Sequence, residues 1–121
     1  MKISLIALLL LALVGCGRPP EVTKFLDEAE AAANLAESET ERWSPMRWKA
    51  QLETLHDAML HVQHKDEAEK LRYENIYRQV RLIGTGREVA EMQGDANSRR
   101  IEMDDCRREI EKLRKSIAKL R

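Results

Sequence analysis

The stretch "LIGTGREVAEM", residues 82–92, decides how the rest of the chain is arranged. If the chain turns at its glycines, the flanking segments fold back on each other. If it does not, they form one continuous rod. Gly84 can close a helix, and Thr85 followed three residues later by Glu88 has the form of a capping box. These signs predict a turn at 84–86. The segments 45–83 and 87–121 then have nearly equal lengths and pair as an antiparallel hairpin about 50–57 Å long. The alternative, an unbroken helix over 45–121, would be a rod of about 115 Å that dimerises as a coiled coil. Gly94-Asp95 offers a second candidate break.

Apolar spacing on either side supports helices throughout. Leu52, Leu55, Met59 and Val62 recur at helical intervals, and the same phase resumes with Tyr73, Ile76, Val80 and Ile83. Asp66 and Glu69 occupy the seam between them, where acids weaken a dry interface unless they are paired. Beyond the glycines, Val89, Met92, Ala96, Arg99, Met103, Cys106, Ile110, Leu113, Ile117 and Leu120 alternate three- and four-residue steps. That second seam is offset in phase from the first and is sustained enough to predict coiled-coil packing.

Upstream, "RWSPMRW" (42–48) marks a boundary. Ser44 suits an N-cap and Pro45 the first helical position. Trp43 and Trp48 flank them at hydrophobic-staple spacing. A first helix over 20–42 opens at Pro20 and carries the stripe Val22, Phe25, Leu26, Ala29, Ala32, Ala33 and Ala36. A face so rich in alanine allows close packing but buries little area, so this helix needs a partner.

Charged residues make up 35% of the chain and aromatics 4%, with three prolines and five glycines. No segment alternates in the manner of a strand. The expected fold is therefore all-α, a helical hairpin or small three-helix bundle with coiled-coil seams. The formal net charge is zero, so bulk attraction to nucleic acid or an anionic membrane is not indicated. The distribution is uneven. Glu21, Asp27, Glu28, Glu30, Glu37, Glu39 and Glu41 form an acidic head, while Arg99, Arg100, Arg107, Arg108, Lys112, Arg114, Lys115, Lys119 and Arg121 dominate the tail. Head and tail can attract each other within one molecule or between molecules.

The first fifteen residues have another character. Lys2 precedes an apolar run over 3–14 that is too short to span a bilayer, for which about 20 residues are needed. A basic start, a short apolar centre and a small residue before a cut site describe a secretory signal peptide. Leu13-Val14-Gly15-Cys16 resembles the lipobox of bacterial lipoprotein precursors, a likeness confined to residues 1–17. The resemblance implies cleavage after Gly15 and lipidation of the Cys16 thiol, which then anchors the chain to a lipid bilayer. It also implies, from Gly17 where an Asp would favour inner-membrane retention, an outer-membrane anchor facing the periplasm. Residues 16–20 then form a short tether stiffened by Pro19 and Pro20, and 21–121 the helical domain.

Two further constellations bear on chemistry. His61 and His64 fall three apart with Asp57 four before His61, so a carboxylate and two imidazoles on one helix face could hold a metal; His56 points elsewhere. With Cys16 lipidated, Cys106 has no cysteine left to pair with inside the chain. At a seam position it reads as a small core residue, or as an intermolecular disulfide in a parallel dimer. The glycines at 84–86 lack the strand context of a phosphate loop. No cofactor and no catalytic constellation is indicated. The expected function is a structural or interaction module at the envelope, self-associating or meeting another envelope protein. Alternatives are a periplasmic metal-binding lipoprotein and an exclusion-type or phage-type surface lipoprotein.

Overall fold

The computed structural model of the protein describes residues 19–39 and 42–121, and among them every regular element is a helix. Gly15, Cys16 and the rest of the signal-like segment lie outside the described residues. None of the described helices is long and apolar enough to cross a membrane.

Helix α1 spans Pro20–Glu37, and the Pro19 carbonyl accepts from the Val22 and Thr23 N–H groups. It ends five residues earlier than the sequence suggested, because Ser38 turns extended and its N–H closes on Asn34. Helix α2 spans Pro45–Leu60. Its start is as expected: Ser44 Oγ accepts from the Arg47 N–H at 3.2 Å, and the Trp43 and Trp48 rings meet at 5.5 Å. The staple fixes how the chain enters the helix.

The long helix expected over 45–83 is in fact two. Helix α3 runs Glu67–Met92 after a loop at 61–66. Asp66, the acid that interrupts the seam, is not a core residue but the N-cap of α3, accepting from the Glu69 N–H at 2.9 Å. An Asp with a Glu three residues on satisfies orphan donors at a helix start, and the break in the dry seam is the loop itself.

The turn expected at 84–86 is absent. Gly84, Thr85 and Gly86 lie inside α3, and Thr85 Oγ1 donates back to the Arg81 carbonyl rather than capping anything. The chain reverses instead at 93–95. Gln93 closes α3, and Asp95 N-caps α4 (Ala96–Leu120), accepting from the Ser98 N–H at 2.8 Å and from its hydroxyl at 2.9 Å. The continuous rod is thereby excluded. Helices α3 and α4, 26 and 25 residues long, form an antiparallel hairpin about 38 Å in length.

Around that hairpin the chain runs up-down-up-down. Gln51 on Glu28 sets α2 antiparallel to α1, Arg121 on Asp27 sets α4 antiparallel to it, and Phe25 edge-on to Tyr73 sets α3 parallel beside it. Helix α1 thus touches all three others, whereas α2 and α4 lie on opposite flanks. The alanine stripe is what permits this. Ala29, Ala32, Ala33 and Ala36 are wholly buried, letting backbones approach, while Phe25 and Leu26 supply the area. Opposite them sit Leu55, Ile76, Val80, Ile83, Ile110, Leu113 and Ile117. The second seam holds from Met103 onward; Met92 and Ala96 are exposed because they flank the turn rather than the interface.

Candidate functional site

The first seam does not stop at Ile83. Its steps of four and three lead to Arg87 and Ala90, both buried, so the helix carries a guanidinium into the core. Arg87 is 1% exposed and is the buried charged residue among those described. Its Nη1 donates to the Ala36 carbonyl (2.6 Å) and the Ser38 carbonyl (2.8 Å), closing the C-terminus of α1. Its Nε and Nη2 donate to Glu91 Oε1 at 3.0 and 2.7 Å. The guanidinium lies 5.2 Å from the centre of the Trp43 ring, a cation–π contact. All three guanidinium nitrogens donate and one face lies against an indole, and such pairing is the condition for burying the cation at all.

From Glu91 the charges extend outward. Glu91 also receives Arg99 at 3.1 Å; Glu39 bridges Arg99 and Arg107, and Arg107 reaches Asp104. Further down α4, Arg114 grips Glu37 with two hydrogen bonds of 2.9 and 3.0 Å, and Arg121 pairs with Asp27 and Glu30. The acidic head and the basic tail therefore meet within one molecule, along α1 and α4. The Arg114 bonds hold Glu37 below the ordinary glutamate range against the push of burial. At Glu91 burial pushes upward, and the bonds from Arg87 and Arg99 outweigh it, leaving a net lowering.

The histidine constellation does not form. Helix α2 ends at Leu60, so His61 is its C-cap and His64 lies in the loop, no longer one turn apart on a helix face. His61 Nδ1 donates to the Asp57 backbone carbonyl at 2.8 Å, His64 lies against Tyr73, and His56 lies against Tyr77. No three potential ligands converge on a metal position among the described residues.

Cys106 is 3% exposed, with its Sγ 3.7 Å from the Ile83 carbonyl. Burial raises the thiol above its usual range. The seam position that could have faced a second chain is filled by the protein's own α3, so an intermolecular disulfide would require the hairpin to open.

On the outer side of the hairpin lies an open groove of about 520 Å³ between α3 and α4, lined by Arg72, Asn75, Ile76, Arg78, Gln79, Leu82, Ser116, Lys119 and Leu120. The sequence reading missed both this groove and the Arg87 node. The signal for Arg87 was present in the uninterrupted seam spacing; the groove needs two helices in register and has no local signature. No protein family, curated protein or solved structure matches this chain.

Proposed function

We propose that this chain is a lipid-anchored helical interaction module of the bacterial cell envelope, held by acyl chains on Cys16 at the periplasmic face of the outer membrane. The observation that carries the reading is the Leu13-Val14-Gly15-Cys16 motif, with only Gly17, Arg18 and Pro19 between it and the start of α1. One acyl chain anchors marginally and two or more hold firmly, so lipidation of that cysteine would fix the bundle close to a bilayer. The bundle then acts by position: its inner seam is closed by its own helices, and a partner meets an outer face.

The test is expression of the full chain in a Gram-negative host, followed by N-terminal mass analysis and membrane fractionation. Diacylglyceryl-modified Cys16 as the first residue, found with the outer membrane and lost in Cys16→Ser, is the expected result. A chain that keeps residues 1–15, or is cut with an unmodified Cys16, overturns the reading.

A further inference from the structure

The bases of α4 that face α1 are neutralised by Glu37, Glu39, Asp27 and Glu30. Those around the α3–α4 groove are not. Arg72, Arg78 and Lys119 line it, no acid does, and none of the three has a carboxylate within ion-pair distance among the described residues. Arg78 is engaged only by the neutral Asn75 side chain. A chain of zero formal charge thus carries one face with uncompensated positive charge.

The same face is amphipathic. Leu82 is 59% exposed in the groove wall, and Leu71, on the same side of α3, is 50% exposed. Gln79 Oε1 is buried at the groove with no hydrogen-bond partner among the described residues. Cations, exposed leucines and a spare acceptor suit a ligand that is anionic, partly apolar and hydroxyl-bearing.

Position selects the source of that ligand. Phe25 against Tyr73, and Arg121 against Asp27, place the start of α3 and the end of α4 level with the first turns of α1. The groove therefore opens, at Arg72 and Lys119, toward the end of the bundle where the chain passes to Cys16. Pro20 follows Cys16 by four residues, and four residues of any chain span at most about 14 Å.

We propose that this groove docks on the headgroups of anionic phospholipid in the bilayer that holds the Cys16 anchor. Arg72, Arg78 and Lys119 pair with lipid phosphate, and Leu71 and Leu82 rest in the interface. The proposal rests on the lipid-anchor reading above. Juxtamembrane bases act cooperatively on an anionic surface and lose their hold as salt rises.

The experiment uses the full lipidated protein in vesicles of phosphatidylcholine alone, or with phosphatidylglycerol replacing part of it. A water-soluble amine-acetylating reagent reports Lys119 against Lys49 on α2, read by mass spectrometry. Phosphatidylglycerol is expected to slow Lys119 by at least roughly fivefold relative to Lys49, reversibly with salt. Arg72→Gln/Arg78→Gln, at exposed positions, should abolish that protection with an unchanged melting temperature. Equal Lys119 reactivity in both vesicles, or protection that survives the double variant, overturns the docking. Protection reproduced by inorganic phosphate over neutral vesicles also overturns it, since the groove would then take a free anion. The mass of Cys16 in the same sample reads the anchor separately: an unacylated Cys16 sinks the anchor, while an acylated Cys16 without Lys119 protection sinks only the groove.

Discussion

The Trp48 indole lies directly on the bare backbone of Gly84. A Cβ at position 84 would stand inside the ring, 2.6 Å from Cζ2 and closer still to its neighbours. The glycine is thus a notch in α3 that receives a tryptophan from α2, and its backbone dihedrals are ordinary, with no positive φ. Two residues on, a Cβ at Gly86 would meet nothing within 4 Å.

These glycines should respond oppositely to alanine. Gly84→Ala must displace a buried ring and is expected to cost about 1–3 kcal/mol, more than the roughly 1 kcal/mol of helix propensity it gains. Gly86→Ala gains that propensity without a clash and should stabilise by about 0.5–1 kcal/mol. Urea denaturation of the two variants decides it, and stabilisation by both would contradict the Trp48–Gly84 contact.

Arg87 is the polar residue whose loss should be felt most. Arg87→Ala leaves the Ala36 and Ser38 carbonyls without their side-chain donor and Glu91 with Arg99 alone, and is expected to cost about 3–5 kcal/mol. Arg87→Lys keeps the charge but not the fork that reaches both carbonyls and Glu91 together, so it should recover only part of the stability. Arg100→Ala, in an exposed pair, should fall within about 0.5 kcal/mol of the wild type. Chemical denaturation of the three variants checks the order.

Acid should loosen the ion pairs that hold α4 to α1 and to α3. Glu37 and Glu91 have folded-state pKa values depressed below the ordinary 4.5. Their contribution is therefore fully present above that value and lost as pH falls through the lower, folded-state range. Unfolding midpoints should be flat from neutral pH to about 5 and then decline, with a shallower decline in Glu37→Gln. A decline no shallower in that variant would remove Glu37 as a contributor. Asp95, held low by the Ser98 N–H and hydroxyl, titrates in the same direction at the α3–α4 turn.

Cys106 should behave as a core residue. Buried and raised in pKa, it is expected to resist a thiol reagent in the native state and react at least roughly a hundredfold faster in denaturant. Non-reducing electrophoresis should show no dimer linked through it. A disulfide-linked dimer from the native protein would mean that the hairpin opens.

Much of the fold was legible because its signals are local. Pro20, the Ser44-Pro45 start and the Trp43–Trp48 staple act within a turn of the residues that carry them. The turn was misplaced for a related reason. "IGTGRE" and "QGDANS" both hold a glycine beside a capping residue, and nothing local ranks them. Burial does: continuing the helix through Gly84 brings Arg87 under α1 and Trp48 onto the notch, whereas at Gly94 nothing packs within 4 Å of the Cβ position. The loop at 61–66 was hidden in the same way, because Val62 stays buried after α2 has ended and so mimics a continuing seam.

The sequence by itself determined the helical class, the starts of α1 and α2, the apolar set and the unequal placement of acids and bases, since each follows from residue type and short-range spacing. Tertiary structure alone decided which glycine lies within a helix and which in a turn, and that the seam closes on the same chain. It also decided which cations are neutralised, those facing α1, and which are left open, those along the α3–α4 groove. Those outcomes depend on what lies across the interface: a glycine, a thiol or an arginine takes its role from the surface packed against it, and that surface is far away in sequence.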